Sequence, residues 1–445
     1  MISKKVLSKA VEIYLLFFAT FHLLYFGFDG YSHIFEAKLV TFFTSNAILF
    51  ILFIFFSFYA RYEQTDDIPS TQRQQFLSPS HICVAFYLLF TVISAVFSKQ
   101  FPDTIMGVSR YEGLLTIATY CFTFFAISLI PCTKKYILIA FAFAVTLFSV
   151  LCIIQIFSFN PFSMYPDGTN FYDAGVKYTT AFIGTIGNAN LSGAFICLAL
   201  PLLAVFLIKA KSKIRFLLII PVLMLLFVVA KMNVDSTILG LASTAVITLP
   251  LIFGFNKKAT IVYFCILLLL FAAFIFVLYQ YPPQSGFLNE ASEILHGNIS
   301  ETFGSGRIRI WKNVISKIPD SPIIGKGPDT MKREGFEPFS RYYPALGKVK
   351  TAGIDVAHNE FLNILYHQGV LGLFAYLGFI FFVLKSFIRG RKNPLILALG
   401  VAFICYLIQS LFTFSMCLVA PYFWICAGLI VGVERSFNNE KTTLE

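Results

Sequence analysis

The chain has 445 residues, of which 58% are hydrophobic, 17% aromatic and only 13% charged. A soluble domain carries roughly 25% charged residues, so the polar residues here cannot cover a water-soluble globule, and the aromatic content excludes a disordered chain. The net charge of +11 is compatible with nucleic-acid binding, but in so apolar a chain it reads first as basic cytoplasmic loops.

Lys4, Lys5 and Lys9 precede an apolar stretch in the manner of a signal peptide. The stretch is long and no small-x-small cleavage site follows Phe28, so it is expected to be a retained first helix. Apolar segments lie at about 11–28, 39–60, 81–98, 113–130, 136–157, 186–208, 215–230, 236–253, 259–280, 359–388, 394–412 and 418–433. Several run for about 18 residues or more with almost no charge, the mark of a membrane span. The expected fold class is an all-α polytopic integral membrane protein with about twelve transmembrane helices. With the N-terminus inside, 19 lysines and arginines fall in cytoplasmic segments and 5 in short outer connections. That bias predicts both termini in the cytoplasm.

Two outer connections are long, 158–185 and 281–357. The expected division is therefore 1–280 with nine transmembrane helices, 281–357 as an extracytoplasmic loop, and 358–445 with three helices and a cytoplasmic tail. Inside the loop, Gly306–Ile318 is amphipathic, with Ile308, Trp311, Ile315 and Ile318 on one face. Pro319, Pro322 and the Gly325-Lys326-Gly327-Pro328 turn end it. A short helix at the outer interface followed by an ordered lid is expected.

The nine cysteines lie in or beside apolar segments without CxxC or Cys/His ligand spacing, so they read as small buried hydrophobes. No metal site is expected, and the chain has no Asp-x-Asp. Gly325-Lys326-Gly327 lacks the spacing and preceding strand of a P-loop. Glu12, His22, Gln155 and Gln409 are the notable polar groups within apolar segments, a sparse set for an ion-coupled transporter. Polar residues gather instead where outer loops enter helices: Gly107–Gly113, Gly184–Asn190, Ser305–Trp311 and Asp355–Glu360. Arginines and helix N-termini bind anions, and a lone imidazole can serve as a base near neutral pH. No nucleotide pool exists outside the membrane, so a transferase there needs a lipid-bound, already activated donor. A polyprenyl-diphosphate glycan fits, with arginines meeting its leaving diphosphate.

Ser305-Gly306-Arg307-x-x-x-Trp311, Pro322-x-x-Gly325-x-Gly327-Pro328, Ala357-His358-Asn359-x-x-Leu362 and Gly369-x-x-Gly372 together resemble the signature block of the O-antigen ligase / O-antigen polymerase superfamily. Gly184-Thr185-x-Gly187-Asn188-x-Asn190 and Arg110-Tyr111-Glu112-Gly113 resemble its earlier motifs, so the likeness covers roughly 80–380. The resemblance implies a GT-C-like bacterial membrane glycosyltransferase in surface-polysaccharide synthesis. It would use an undecaprenyl-diphosphate-linked glycan without metal or cofactor. His358 would be the essential histidine, and Arg307 and Arg110 would bind the diphosphate. The basic stretch of Arg341, Lys348 and Lys350 is expected to give a further donor contact, and Asn359 and Glu360 to extend the site. Trp311 and Asn188 would support it, Asn188 by shaping helix packing. Glu112 is expected to pair with Arg110, Arg309 to be solvated, and Asp355 to stand where a helix N-cap would. The site would face outward from the cytoplasmic membrane, with a saccharide, lipid or protein acceptor and no nucleic-acid partner. Ligase, polymerase and protein O-glycosyltransferase remain open at this point. Gly327-Pro328-Asp329-Thr330 looks most like Gram-positive members. A polysaccharide or lipid-linked sugar transporter is the alternative of another class, which repeat symmetry and a polar path through the membrane would favour.

Overall fold

The computed structural model describes residues 2–63, 77–165, 183–343 and 348–442. In it α1 (Ile2–Phe17) runs into a π-helical turn (Phe18–His22), and α2 (Ile34–Glu63), α3 (Pro79–Val96), α4 (Leu114–Leu129) and α5 (Lys135–Ile156) follow. Then come α6 (Ala189–Lys209), α7 (Ile219–Met232), α8 (Asp235–Phe253) and α9 (Lys257–Gln280). The shorter α10 (Phe287–Leu295) and α11 (Phe303–Lys317) precede a two-stranded antiparallel hairpin, β1 (Phe339–Tyr343) and β2 (Lys348–Ala352). The chain closes with α12 (Glu360–Gly390), α13 (Pro394–Ser410) and α14 (Ala420–Thr442). Every one of the apolar segments read from the sequence falls on a helix, because long apolar runs leave the backbone no hydrogen-bond partner but itself in lipid. Among the described residues, eight helices are long and apolar enough to cross a membrane, and α4 and α13 are apolar but shorter. The protein is a polytopic, overwhelmingly helical membrane protein, and the hairpin is a local departure from the all-α expectation.

The helices differ in how deeply they sit. α13 buries residues along nearly its whole length, and α6 almost as many. α9, by contrast, buries only Leu278, as suits a helix surrounded by lipid. Below the ends of α4, α12 and α14 an aromatic stack forms: Trp424 lies on Phe379 with ring centres 4.8 Å apart, and Phe423 lies on Phe403 at 4.8 Å. Such offset rings fill volume with little conformational freedom. The nine cysteines are all free, and only Cys265, on α9, is exposed.

The polar groups in apolar segments serve neighbouring helices. Gln155 Nε2 donates to Tyr31 Oη (2.8 Å) and its Oε1 accepts from Gly184 N (2.7 Å). His22 Nδ1 pairs with Tyr422 Oη at 3.1 Å, and Glu12 bonds Lys9. Gln409 Nε2 reaches Asn190 O at 3.4 Å. Lys38, fully buried, donates to the carbonyls of His22 and Leu23 where the first helix ends. A cation there meets the negative end of the helix and its unpaired carbonyls.

Candidate active site

Irregular backbone at one end of the bundle assembles the site. α12 is interrupted at Gly369 (φ +69°, ψ −171°), which frees helix backbone groups. The turn after α11 takes them up: Lys326 N and Gly327 N donate to Tyr366 O and His367 O (3.0 Å each), and Val370 N and Leu371 N donate to Pro322 O (2.9 Å) and Ile323 O (3.3 Å). A Cβ on Gly325, at φ +75°, would stand 2.3 Å from His367 O, so glycine is demanded there. Two separate signature segments, Pro322–Pro328 and Gly369–Gly372, are thus the halves of one joint. Lys326 locks it by pairing with Asp320 (2.7 Å) and Glu334 (2.6 Å). Burial works against the Lys326 charge, yet those two carboxylates raise its pKa overall.

The same turn carries Asp329, buried and at φ +52°. Its carboxylate accepts from Ser109 N (3.0 Å), Ser109 Oγ (2.9 Å) and Arg110 N (2.8 Å). Gly107 touches the same carboxylate, and a Cβ there would fall 2.3 Å from Asp329 Oδ2. Asp329 therefore sets the backbone of the segment that presents Arg110. Asp355 holds the side chain: Arg110 Nε and Nη2 both donate to its Oδ2, at 2.9 and 2.7 Å. The expected Arg110–Glu112 pair does not form. Glu112 Oε1 instead accepts from Tyr120 Oη and Cys417 N, each at 2.8 Å. Burial, reinforced by the nearby charge of Glu360, pushes the Glu112 carboxyl well above the usual carboxylate range.

Arg307 reaches the site from α11. Gly304, Ser305 and Gly306 all take positive φ and kink the start of that helix. Arg307 Nε then donates to Phe412 O (3.1 Å) and Nη1 to Gly304 O (2.8 Å). The buried stripe of α11 is Ile310 and Val314 with Trp311 beside them, packed on Met331, Ile354, Ala357 and Tyr366. This corrects the expected face: Ile315 is 54% exposed. Both sides of the helix carry isoleucines, and only the partners decide which side is inside. Trp311 Nε1 donates to Ala357 O at 2.9 Å, tying α11 to the residue before His358. Arg309 lies on the other side near Glu301, at 4.0 Å.

His358 adopts φ +50°, a left-handed conformation uncommon for a side-chain-bearing residue. The cap of α12 is Asn359, whose Oδ1 accepts from Leu362 N (2.9 Å), and not Asp355 as expected. The His358 ring stands edge-on to Phe414, centres 5.3 Å apart, and the Arg110 guanidinium lies 5.1 Å from the centre of that same ring. Its nitrogens make no hydrogen bond among the described residues. Burial lowers the His358 pKa to about 4, the charges of Arg307 and Arg110 push the same way, and Asp355 opposes them. The imidazole is therefore neutral near pH 7, with a lone pair available, beside two guanidinium groups.

Phe414 belongs to an element that sequence reasoning missed. Residues 411–419 join α13 to α14 without helix and are buried from Met416 onward. The segment is apolar and sits between two apolar runs, so nothing in its composition sets it apart. Yet its backbone meets three of the motif segments: Phe412 O takes Arg307, Ser415 N donates to Glu360 Oε2 (2.8 Å), and Cys417 N donates to Glu112. Non-helical backbone at membrane depth is tolerated where protein or a cavity surrounds it. A cavity of about 40 Å³ does adjoin it, lined by Arg110, Glu112, Asp329, Asp355, Glu360 and His367 among others. Asp329 and Asp355 were likewise read only as a lineage hint and a cap, because their partner lies more than 200 residues away.

The structure thus brings together His358, Arg307, Arg110, Trp311, Asn359 and Glu360. Asn188 lies apart, capping α6 through bonds from Asn190 N (2.9 Å) and Leu191 N (3.2 Å). Arg341 and Lys350 are opposite one another in the β1–β2 register, and their side chains, like that of Lys348, lie outside the described residues. Among the described residues no three His, Cys, Asp or Glu side chains converge as metal ligands.

Fold and site together define a polytopic membrane protein with a polar, arginine-rich site where loops meet helix starts at one end of the bundle. Residues 222–377 match the family model described as O-antigen ligase. That match supports the resemblance to the O-antigen ligase / O-antigen polymerase superfamily over this segment. The matched segment includes Arg307, the 322–328 turn, His358 and the Gly369 break, and leaves out Arg110 and the 411–419 loop. No curated protein matches the chain.

Proposed function

We propose that the protein transfers or polymerises a glycan from an undecaprenyl-diphosphate-linked donor at the outer face of the bacterial cytoplasmic membrane. The observation that carries this reading is the convergence of an uncharged His358 with Arg110 at Phe414 and Arg307 at the neighbouring Phe412. The bias of basic residues toward the opposite loops supports the outward placement, with both termini in the cytoplasm. The donor's tail stays in lipid and its diphosphate meets the two guanidinium groups, aided by the N-terminus of α12.

The acceptor hydroxyl gives its proton to the His358 ring as its oxygen attacks the anomeric carbon. The bond from that carbon to the diphosphate oxygen breaks, and the electron pair leaves on the diphosphate. Arg307 and Arg110 stabilise the charge that develops there. The product is a glycosidic bond of inverted configuration, free undecaprenyl diphosphate and a protonated His358, which returns its proton to water. No step in this scheme is assigned to a metal. The acceptor is a saccharide, a lipid or a protein, according to the reading of ligase, polymerase or protein O-glycosyltransferase.

The test is the full-length protein in proteoliposomes with undecaprenyl-diphosphate-linked glycan and a candidate acceptor. Mass spectrometry should find a new glycosidic bond and released undecaprenyl diphosphate. Movement of donor across the bilayer with no new bond would instead support a transporter.

A further inference from the structure

A second, larger cavity of about 430 Å³ lies within the helices away from Phe414. One wall is a single face of α14: Tyr422, Ile425, Cys426, Leu429, Val433 and Phe437, residues that recur at helical spacing. The other walls come mainly from α1, α5, α6 and α13 and are aliphatic or aromatic. At one end the cavity stops at Tyr422, whose hydroxyl donates to Phe18 O (3.2 Å) and pairs with His22 Nδ1 (3.1 Å). At the other end its rim is Lys134 and Asn393, in the α4–α5 and α12–α13 connections, with Lys135, the first residue of α5. Those connections are opposite the candidate site, since α4 and α12 both begin beside it and run away. Gly432 rests against Ser128 and Pro131, which fixes the level of the rim on α14. From Val433 to Tyr422 the helix rises about 17 Å, close to the roughly 15 Å of hydrocarbon in one leaflet of a bilayer.

The wall atoms of a cleft this size lack dispersion partners unless something fills it. Water finds almost no hydrogen-bond partners inside. A hydrocarbon chain from the surrounding leaflet matches both the depth and the lining. At the rim, Lys134 and Lys135 are the only charged residues among the described residues lining the cavity, and Arg391 and Lys392 immediately precede Asn393. No carboxylate lines the cleft among the described residues, and the nearby Glu12 is already paired with Lys9. Basic rims between membrane helices bind anionic headgroups.

We infer that this cleft is a binding site for one anionic phospholipid. One acyl chain lies along α14 between Val433 and Tyr422, and the headgroup phosphate is held by Lys134 and Lys135. The site is separate from the proposed transfer chemistry and does not depend on it.

The experiment uses the full-length protein in nanodiscs of phosphatidylcholine mixed with phosphatidylglycerol, followed by native mass spectrometry of the lipid that stays bound. The wild-type protein should retain a single phosphatidylglycerol in preference to phosphatidylcholine. The Lys134→Gln/Lys135→Gln double variant should lose that preference by on the order of tenfold. Leu429→Trp, which keeps both lysines but fills the cleft, should retain neither lipid. Equal retention of the two lipids by the wild type, or an unchanged preference in the double variant, would overturn the assignment. So would total-membrane-lipid nanodiscs in which only a polyprenyl phosphate stays bound.

Discussion

The two ends of α14 are built from opposite materials. Its first turn follows a buried, irregular loop whose backbone is bonded to Arg307, Glu112 and Glu360. Its later turns wall an apolar cleft that meets charge only at a lysine rim. At the first end, position is everything: Arg307, Glu112 and Glu360 are each fixed by a particular N–H or C=O that a helix would have kept for itself. At the other end, sign of charge and apolar depth suffice, and the partners need no exact bond geometry. The first end should therefore be intolerant of conservative replacement, and the second tolerant of any change that preserves charge and space.

Replacement of Arg307 should have the largest effect among the arginine and carboxylate variants. Arg307→Ala should lower kcat/KM for transfer by roughly a hundredfold. Arg307→Lys should recover little of this, since a lysine cannot reproduce the forked contacts to Phe412 O and Gly304 O. Full rescue by lysine in a purified-component transfer assay would show that charge alone matters at this end too, and the contrast would fail. Asp355→Asn tests positioning at one remove. It leaves Arg110 in place but replaces the acceptor of its Nε and Nη2 bonds. A loss of about tenfold is expected, mainly as a raised KM for the donor, the size of one or two charged hydrogen bonds. An equal fall in protein level with no change in KM would mark Asp355 as structural only.

The pH profile sharpens the same point. With its pKa lowered to about 4 by burial and by Arg307 and Arg110, His358 is unprotonated from pH 8 down to about 5. The kcat/KM profile should be level through that range on its acid side and fall only as the ring takes a proton near pH 4. In Arg307→Ala the residual activity should fall at a higher pH, because one of the charges that depresses the histidine has gone. An acid limb near the ordinary histidine value of about 6.5 in the wild type would contradict the burial and charge assigned to the ring. Smallest of all, Lys134→Gln/Lys135→Gln should leave transfer within about twofold, since those lysines stand at the other end of the bundle and exposed charges couple weakly over such distances.

The same contrast explains what could be read from the sequence. Helices were legible because apolar runs are local, and His358 and Arg307 were legible because their motifs are contiguous and matched a family pattern. What failed was non-local or two-sided. Arg110 was paired with its sequence neighbour Glu112, whereas the partner is Asp355, carried into place by α11 and the chain after β2. The inward stripe of α11 was set on Ile308 and Ile315 when its core partners select Ile310 and Val314. The 411–419 loop was invisible because it is as apolar as its flanks. Its role is in its backbone, which composition does not record.

The most direct test of the central claim is His358→Ala in the purified full-length protein, assayed in proteoliposomes with undecaprenyl-diphosphate-linked glycan and its acceptor. Donor binding is followed in parallel. The account predicts loss of glycosidic-bond formation by a hundredfold or more, about the lower range for general-base catalysis, with donor binding retained through Arg307 and Arg110. Transfer at the wild-type rate by a correctly folded His358→Ala protein would contradict it.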